Sequence, residues 1–353
     1  MNDRPLLTRT ECAVLRGWAI LGIVLHNYCH WIGPIVKENE YTFSRHNADW
    51  LTQVMTPPDC YSVVHLLSFF GHYGVPVFLF LSAYGLEMKY ARRRETPRQA
   101  EEEGAWTFVR RHFLKLFKMM FVGFVAFTML DAVTPRQHHY ELMDVVAQLG
   151  MFNNLLEDPD KVIWPGPYWF FGLMLQLYIL WRLVIYRCHW GLVAALMVIC
   201  TVWQMTCAPE SDMLERLRYN CIGGMLPFGA GYFFARWKQF RLGRMQAAAV
   251  ALVSAALIVV MSYNYYAWYF VPLLVCALAV GGVKCLPERL MRPFAWIGGL
   301  SAAMFVCHPL TRKIFMPQAW RGDIYTGLLL YFLATVAVAW AVRELLRHIP
   351  NPK

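Results

Sequence analysis

VLRGWAILGIVLHNYCHW, residues 14–31, is apolar enough to enter a bilayer and yet carries Arg16, His26 and His30. Ionisable groups inside a membrane span are costly, so they usually face a bundle interior or a wet cavity and carry function. Arg16 falls where the stretch meets the interface and can snorkel toward water. His26 lies well inside, so the stretch predicts proton-transfer chemistry at membrane depth. The rest of the chain agrees: of its 353 residues 58% are hydrophobic and only 16% charged, against about a quarter charged in a soluble domain. We read an all-α, polytopic membrane protein with one domain spanning 1–353.

A span needs about 20 apolar residues. Ten stretches qualify: 12–31, 62–86, 108–130, 168–186, 190–207, 219–236, 246–263, 265–283, 294–311 and 324–342. The first is read as retained, because no small-residue cleavage site follows it. Residues 87–118, residues 236–244 and both chain ends are rich in Lys and Arg, which predicts a cytoplasmic side for all of them. The net charge of +10 then expresses orientation, and nucleic acid is not an expected partner. The charged run 92–104 reads as a solvated connector, and ELMDVVAQLGMFNNLL (141–156) as a short helix on the outer face. Spans seven and eight meet at Asn264, where Tyr263, Tyr265, Tyr266, Trp268 and Tyr269 read as an interfacial aromatic belt. The ten cysteines show no metal spacing and mostly read as packing residues. Cys29/Cys60 and Cys207/Cys221 bracket outer loops, where a disulfide is open. No metal is expected.

Six segments in order carry a family resemblance: LRGWAILGIVLH (15–26), FFGHYGVPVFLFLSAYGL (69–86), FVRRHFLKLF (108–117), YWFFGLMLQLYILWRL (168–183), LPFGAGYFFAR (226–236) and IGGLSAAMFVCHPL (297–310). Together they resemble the membrane acyltransferase-3 family over roughly residues 9–345. The resemblance implies ten membrane helices and an acyl-coenzyme A donor, commonly acetyl-CoA, with no bound cofactor. It implies O-acyl transfer to a hydroxyl of an extracytoplasmic glycan or lipid-linked sugar, at the cytoplasmic (inner) membrane. The family's paired Arg and His fall on Arg16 and His26. Their spacing is one residue short of the family's. A step of ten turns His26 about 80° from Arg16, whereas the step of fourteen to His30 leaves about 40°. His26 matches by neighbourhood and His30 by face; the reading favours His26.

A sugar hydroxyl is a poor nucleophile at neutral pH, and a neutral imidazole can take its proton during attack. His26 is the expected base and Arg16 a cation for the oxyanion or for coenzyme A. Arg110, Arg111 and Lys115 open the third span and are the expected phosphate ligands. His30, His72, Ser82, Tyr84, Trp169 and His308 are expected around the acceptor or the pore. Ser82 has no base nearby in sequence, which favours packing over nucleophilic catalysis. Asp131, His138 and His139 read as a solvated outer loop. Direct transfer is expected, with a covalent acyl-His relay left open. The alternative function is a transporter or flippase for a lipid-linked sugar, using the same polar groups without bond chemistry. The expected partners are membrane lipid, the acyl-CoA donor and the glycan acceptor.

Overall fold

The computed structural model describes residues 6–95, 103–236 and 242–350, and these form helices and loops without a strand. Residues 96–102 of the charged connector, and the basic Lys238 and Arg241, lie outside the described residues. In chain order the helices are α1 (Arg9–Cys29), α2 (Arg45–Val54), α3 (Ser62–Phe70), α4 (Gly74–Glu95), α5 (Ala105–Val133), α6 (Leu142–Gly150), α7 (Pro159–Val162) and α8 (Trp169–Leu180). They continue as α9 (Trp190–Met205), α10 (Asp212–Tyr219), α11 (Cys221–Arg236), α12 (Arg244–Met261), α13 (Tyr265–Trp268), α14 (Val271–Cys285), α15 (Glu288–Trp320) and α16 (Ile324–His348). A tight turn, Gly71–Tyr73, joins α3 to α4 into one run, and α8 ends in a π-helical turn, Trp181–Ile185.

Among the described residues, seven helical runs are long and apolar enough to cross a membrane: α1, Ser62–Tyr90, α5, Gly166–Ile185, α12, α15 and α16. The other three expected spans are α9, α11 and α14, with 16, 16 and 15 residues. Each measures about 23 Å, short of a hydrocarbon core of about 30 Å. The eighth span starts later than expected because Asn264 caps a separate short helix, its side chain accepting from the Ala267 N–H at 3.0 Å. The aromatic cluster there is also not a lipid-facing belt. Trp268 and Tyr269 are buried in protein, and their polar atoms hold the Asn39 and Gln204 carbonyls at 2.9 Å each. Only Tyr266 of the five stands well exposed, at 61%.

Helix α1 is the central element. Thr8 and Glu11 close its first turn reciprocally, at 3.1 and 2.7 Å, and Glu11 also pairs with Lys284 at 2.8 Å. Its backbone lies directly on α15: a side chain at Gly17 or Gly298 would run into the facing main chain. On its other side, a Cβ at Gly71 would sit 2.6 Å from the His26 Cβ. Glycine here admits the imidazole between α1 and the α3–α4 turn.

One outer-loop expectation changes. Asp131 is buried at 1% exposure, paired with Lys313 and accepting from the His138 N–H at 2.9 Å, so it ties α5 to α15 rather than facing solvent. All ten cysteines are free, including Cys29, Cys60, Cys207 and Cys221. The helix expected in 141–156 is present as α6, followed by a short turn at Asn153–Leu155.

Candidate active site

Two cavities enter the bundle from opposite ends of α1. A step of four residues turns a helix by about 40°, so His26 and His30 share a face. Both line a cavity of about 190 Å³ together with His72, Trp169, Glu38, Glu40, Tyr41 and Arg312. Arg16 lines a different cavity, of about 800 Å³, with Ser82, Tyr84, Arg9 and Lys89. Ten residues of helix place Arg16 about 15 Å along the axis from His26. The structure therefore brings together four of the expected residues (His26, His30, His72 and Trp169) and sets Arg16, Ser82 and Tyr84 apart from them.

The geometry around His26 fixes its chemistry. Nδ1 lies 2.8 Å from the Ser68 carbonyl oxygen. A carbonyl only accepts, so Nδ1 carries the proton and Nε2 is left with a bare lone pair. Nε2 lies 3.7 Å from a Glu40 oxygen and 3.9 Å from a Glu38 oxygen. Those distances are too long for hydrogen bonds and short enough to steady an imidazolium once it forms. The His30 ring stacks on His26 at 4.6 Å, and its Nδ1 meets the His26 carbonyl oxygen at 3.1 Å. His72 stands edge-on to His26 at 5.6 Å, and neither of its nitrogens has a hydrogen-bond partner among the described residues.

The two glutamates sit on a loop whose main chain is held at successive residues. On α3, His65 and Ser68 are three residues apart and therefore neighbours. The Val36 N–H donates to His65 Nδ1 at 3.2 Å, and the Ser68 hydroxyl donates to the Val36 carbonyl at 2.5 Å. Asn47, Trp268 and Arg218 then donate to the carbonyls of Glu38, Asn39 and Glu40 at 3.0, 2.9 and 2.7 Å. Ser68 thus serves twice: its carbonyl orients His26 and its hydroxyl places the acidic loop over it. Burial pushes the Glu40 carboxyl well above the ordinary carboxylate range, and Glu38 adds to this while Arg218 opposes it.

Arg312 supplies the cation that Arg16 does not. It is buried on α15, donates from Nη1 to the Asn27 side-chain and main-chain oxygens at 3.2 and 3.3 Å, and lies over the Trp31 ring at 4.9 Å. His308 sits one turn earlier, buried, with Nδ1 at the Met304 carbonyl (3.2 Å) and Nε2 without a partner among the described residues. It stands behind the cavity rather than in its lining.

At the other end, Tyr84 accepts from the Leu7 N–H at 3.1 Å, which pins the chain leading into α1. The Ser82 hydroxyl donates to the Phe78 carbonyl at 2.8 Å, a bond within its own helix that fits packing better than nucleophilic attack. Arg110, Arg111 and Lys115 do not line either cavity. Arg111 pairs with Glu103 at 2.7 Å and donates to the Tyr90 hydroxyl at 2.8 Å, while Arg110 and Lys115 are exposed. The two cavities approach one another at an aromatic layer. Phe78 lines the Arg16 cavity and meets Phe170 at 6.2 Å; Phe170 meets Phe305 at 5.2 Å, and both of these line the His26 cavity.

Sequence reasoning missed Arg312, Glu38, Glu40 and Tyr41. For Arg312 a signal existed: Phe305, His308 and Arg312 recur at helical spacing, but the expected span stopped at residue 311, whereas α15 runs to Trp320. For the glutamates no sequence motif exists.

Compared with known proteins, residues 13–344 match the family model described as an acyltransferase domain. No curated protein and no solved structure matches the chain.

Proposed function

The chain belongs to this acyltransferase family and is a membrane acyltransferase, and on that premise we propose that it carries an acyl group from coenzyme A to a sugar hydroxyl with His26 as general base. The donor is acyl-CoA, acetyl-CoA by resemblance, entering the Arg16 cavity from the cytoplasm. The acceptor is a glycan or lipid-linked sugar entering the His26 cavity from the outer face of the cytoplasmic membrane. The observation that carries this reading is the committed Nδ1 proton of His26, which leaves the Nε2 lone pair free at a cavity of about 190 Å³.

In the proposed reaction the acceptor hydroxyl donates its proton to His26 Nε2 as its oxygen bonds to the thioester carbonyl carbon. General-base assistance of this kind supplies about 10²–10⁴-fold. Glu38, 3.9 Å from Nε2, steadies the imidazolium. Arg312 is the nearest cation for the oxyanion, a stabilisation worth about 10²–10³-fold per donor. The C–S bond then breaks, and the coenzyme A thiolate takes the proton from His26. The ester stays in the outer cavity and the thiol leaves inward. Tyr41, stacked on Tyr219 at 4.1 Å, and Trp169, edge-on to Tyr41 at 5.5 Å, offer apolar faces to a sugar ring. Arg9, Arg16 and Lys89 surround the inner cavity, where coenzyme A phosphates need cations. The thioester would reach His26 by displacing the Phe78–Phe170–Phe305 layer.

The test is release of free coenzyme A and transfer of label from radiolabelled acetyl-CoA, using purified protein in lipid with an envelope-glycan extract as acceptor. Transfer is expected from the wild type and not from His26→Ala. Loss only in His30→Ala would move the base to His30. No release and no acetyl-CoA binding by the wild type would sink the donor assignment.

A further inference from the structure

His30 has no part in that reaction, and its position beside His26 calls for a reason. Both imidazoles line the same cavity, and each has Nδ1 at a main-chain carbonyl, of Ser68 and of His26, which leaves Nε2 as the nitrogen free to bind a ligand. Backbone carbonyls on the far nitrogen are the usual way a metal-binding histidine is oriented. Glu38 stands opposite: ligand atoms of His26, His30 and Glu38 all lie within 4.8 Å of one another. One Glu38 oxygen is 3.9 Å from His26 Nε2, and the other is buried without a hydrogen-bond partner among the described residues. Glu40, 3.7 Å from the same Nε2, stands where a fourth ligand or a water would go. Three acidic side chains line the cavity, Glu38, Glu40 and Asp160, together with one basic side chain, Arg312. Arg312 directs its Nη1 donor to Asn27.

We propose that His26, His30 and Glu38 form a binding site for a divalent ion of the zinc class, and that the bound ion reversibly silences the enzyme. Two imidazoles and one carboxylate suit Zn²⁺, which takes nitrogen and oxygen ligands in a tetrahedron at about 2.0–2.2 Å. Magnesium and calcium prefer all-oxygen sites. The three ligands must close by about 1 Å to meet such an ion, a movement within side-chain rotation. The lone pair that coordinates the metal is the one that would take the hydroxyl proton, so the two events exclude each other. Sequence spacing could not show the site, because a loop eight residues beyond His30 supplies the carboxylate. Binding stands on geometry alone; silencing rests on the base assignment above.

Cobalt(II) alone, added to metal-free protein in lipid, tests the site. Visible absorption bands of a four-coordinate ion are expected at one equivalent per chain and are displaced by Zn²⁺. His30→Gln and Glu38→Gln should each weaken zinc binding at least tenfold while keeping the wild-type melting profile. Coenzyme A release by the wild type should fall as the site fills and return with chelator; in His30→Gln the same zinc should leave that variant's own zinc-free rate unchanged. Absence of the bands, or equal zinc affinity in wild type and both variants, overturns the site. Faster release with zinc overturns silencing. Zinc binding without any coenzyme A release in metal-free buffer sinks the acyl-transfer reading and leaves the site standing.

Discussion

The His26 cavity encloses about 190 Å³, and its polar groups are braced: Ser68 holds His26, Asn27 holds Arg312, and Asn47, Trp268 and Arg218 hold the loop of the two glutamates. The Arg16 cavity encloses about 800 Å³, and its cations Arg9, Arg16 and Lys89 are exposed on long side chains. The contrast matches two demands. A reacting pair must be held near its attack geometry, and that fixation lowers the barrier. A phosphate chain needs charge more than fixed geometry, and flexible cations provide it. A chain with chemistry at one end and donor binding at the other should place its rigid polar network and its exposed charges in just this way.

The largest expected effect tests the rigid end. His26→Gln removes the proposed base while keeping a polar side chain of similar size, and kcat for label transfer should fall by about 10²–10⁴-fold. The KM for acyl-CoA should move little if, as proposed, the donor's phosphates bind in the Arg16 cavity. A variant within tenfold of wild type would break the contrast at its centre.

Arg312→Gln comes next, with an expected loss of about 10²–10³-fold in kcat. Arg312→Lys should recover part of it, since the charge returns without the planar donors that reach Asn27. Melting profiles separate this from misfolding. If Arg312→Gln transfers normally and Arg16→Gln carries the large loss instead, the roles of the two cavities are reversed.

These two residues also show what was legible in the sequence. His26 stood out because an ionisable group in an apolar run is conspicuous without any tertiary knowledge. The helices were legible for the same reason, from long apolar runs, and failed where short helices such as α10 and α13 interrupt the pattern. Arg312 was hidden by a span boundary drawn at residue 311, and Asp131 by its place at the end of a span, where a solvated loop is the default. Glu38 and Glu40 were invisible for a stronger reason. Their placement depends on His65 and Ser68 gripping Val36 across 29 and 32 residues, and no local pattern encodes a contact of that range. The pairing of Arg16 with His26 came from resemblance, and helical rise alone separates them by about 15 Å.

The open end should answer to charge and salt. Arg16→Ala is expected to raise the KM for acyl-CoA about tenfold with little change in kcat, and added salt should produce the same change in the wild type, since exposed charges are screened. Arg110→Ala/Arg111→Ala is the contrasting variant. Arg111 is already paired with Glu103, so its loss should act through the start of α5 and move KM less. If KM follows Arg110 and Arg111 and ignores Arg16, the donor phosphates lie at α5, and the inner cavity holds only the pantetheine arm.

The smallest expected effect lies on the wall of the rigid cavity. Trp164 lines it, and His138 stacks on Trp164 at 4.8 Å with rings 16° apart. Burial lowers the pKa of His138 below its ordinary value; His139 and Lys313 act in the same direction, while Asp131 and Asp144 oppose them. The unfolded chain therefore takes up the proton first. The stability that neutral His138 contributes is fully present above the ordinary histidine value, about 6.5, and is lost as pH falls toward its lowered folded value. Acidification from pH 7.5 to 5.5 should lower the melting temperature of the wild type more than that of His138→Phe, which keeps the ring and cannot charge. Equal acid sensitivity in the two proteins would disconnect this wall from pH. A larger response in His138→Phe would mean that Asp131 and Asp144 together outweigh burial, and would make the outer wall an acid-stabilised element.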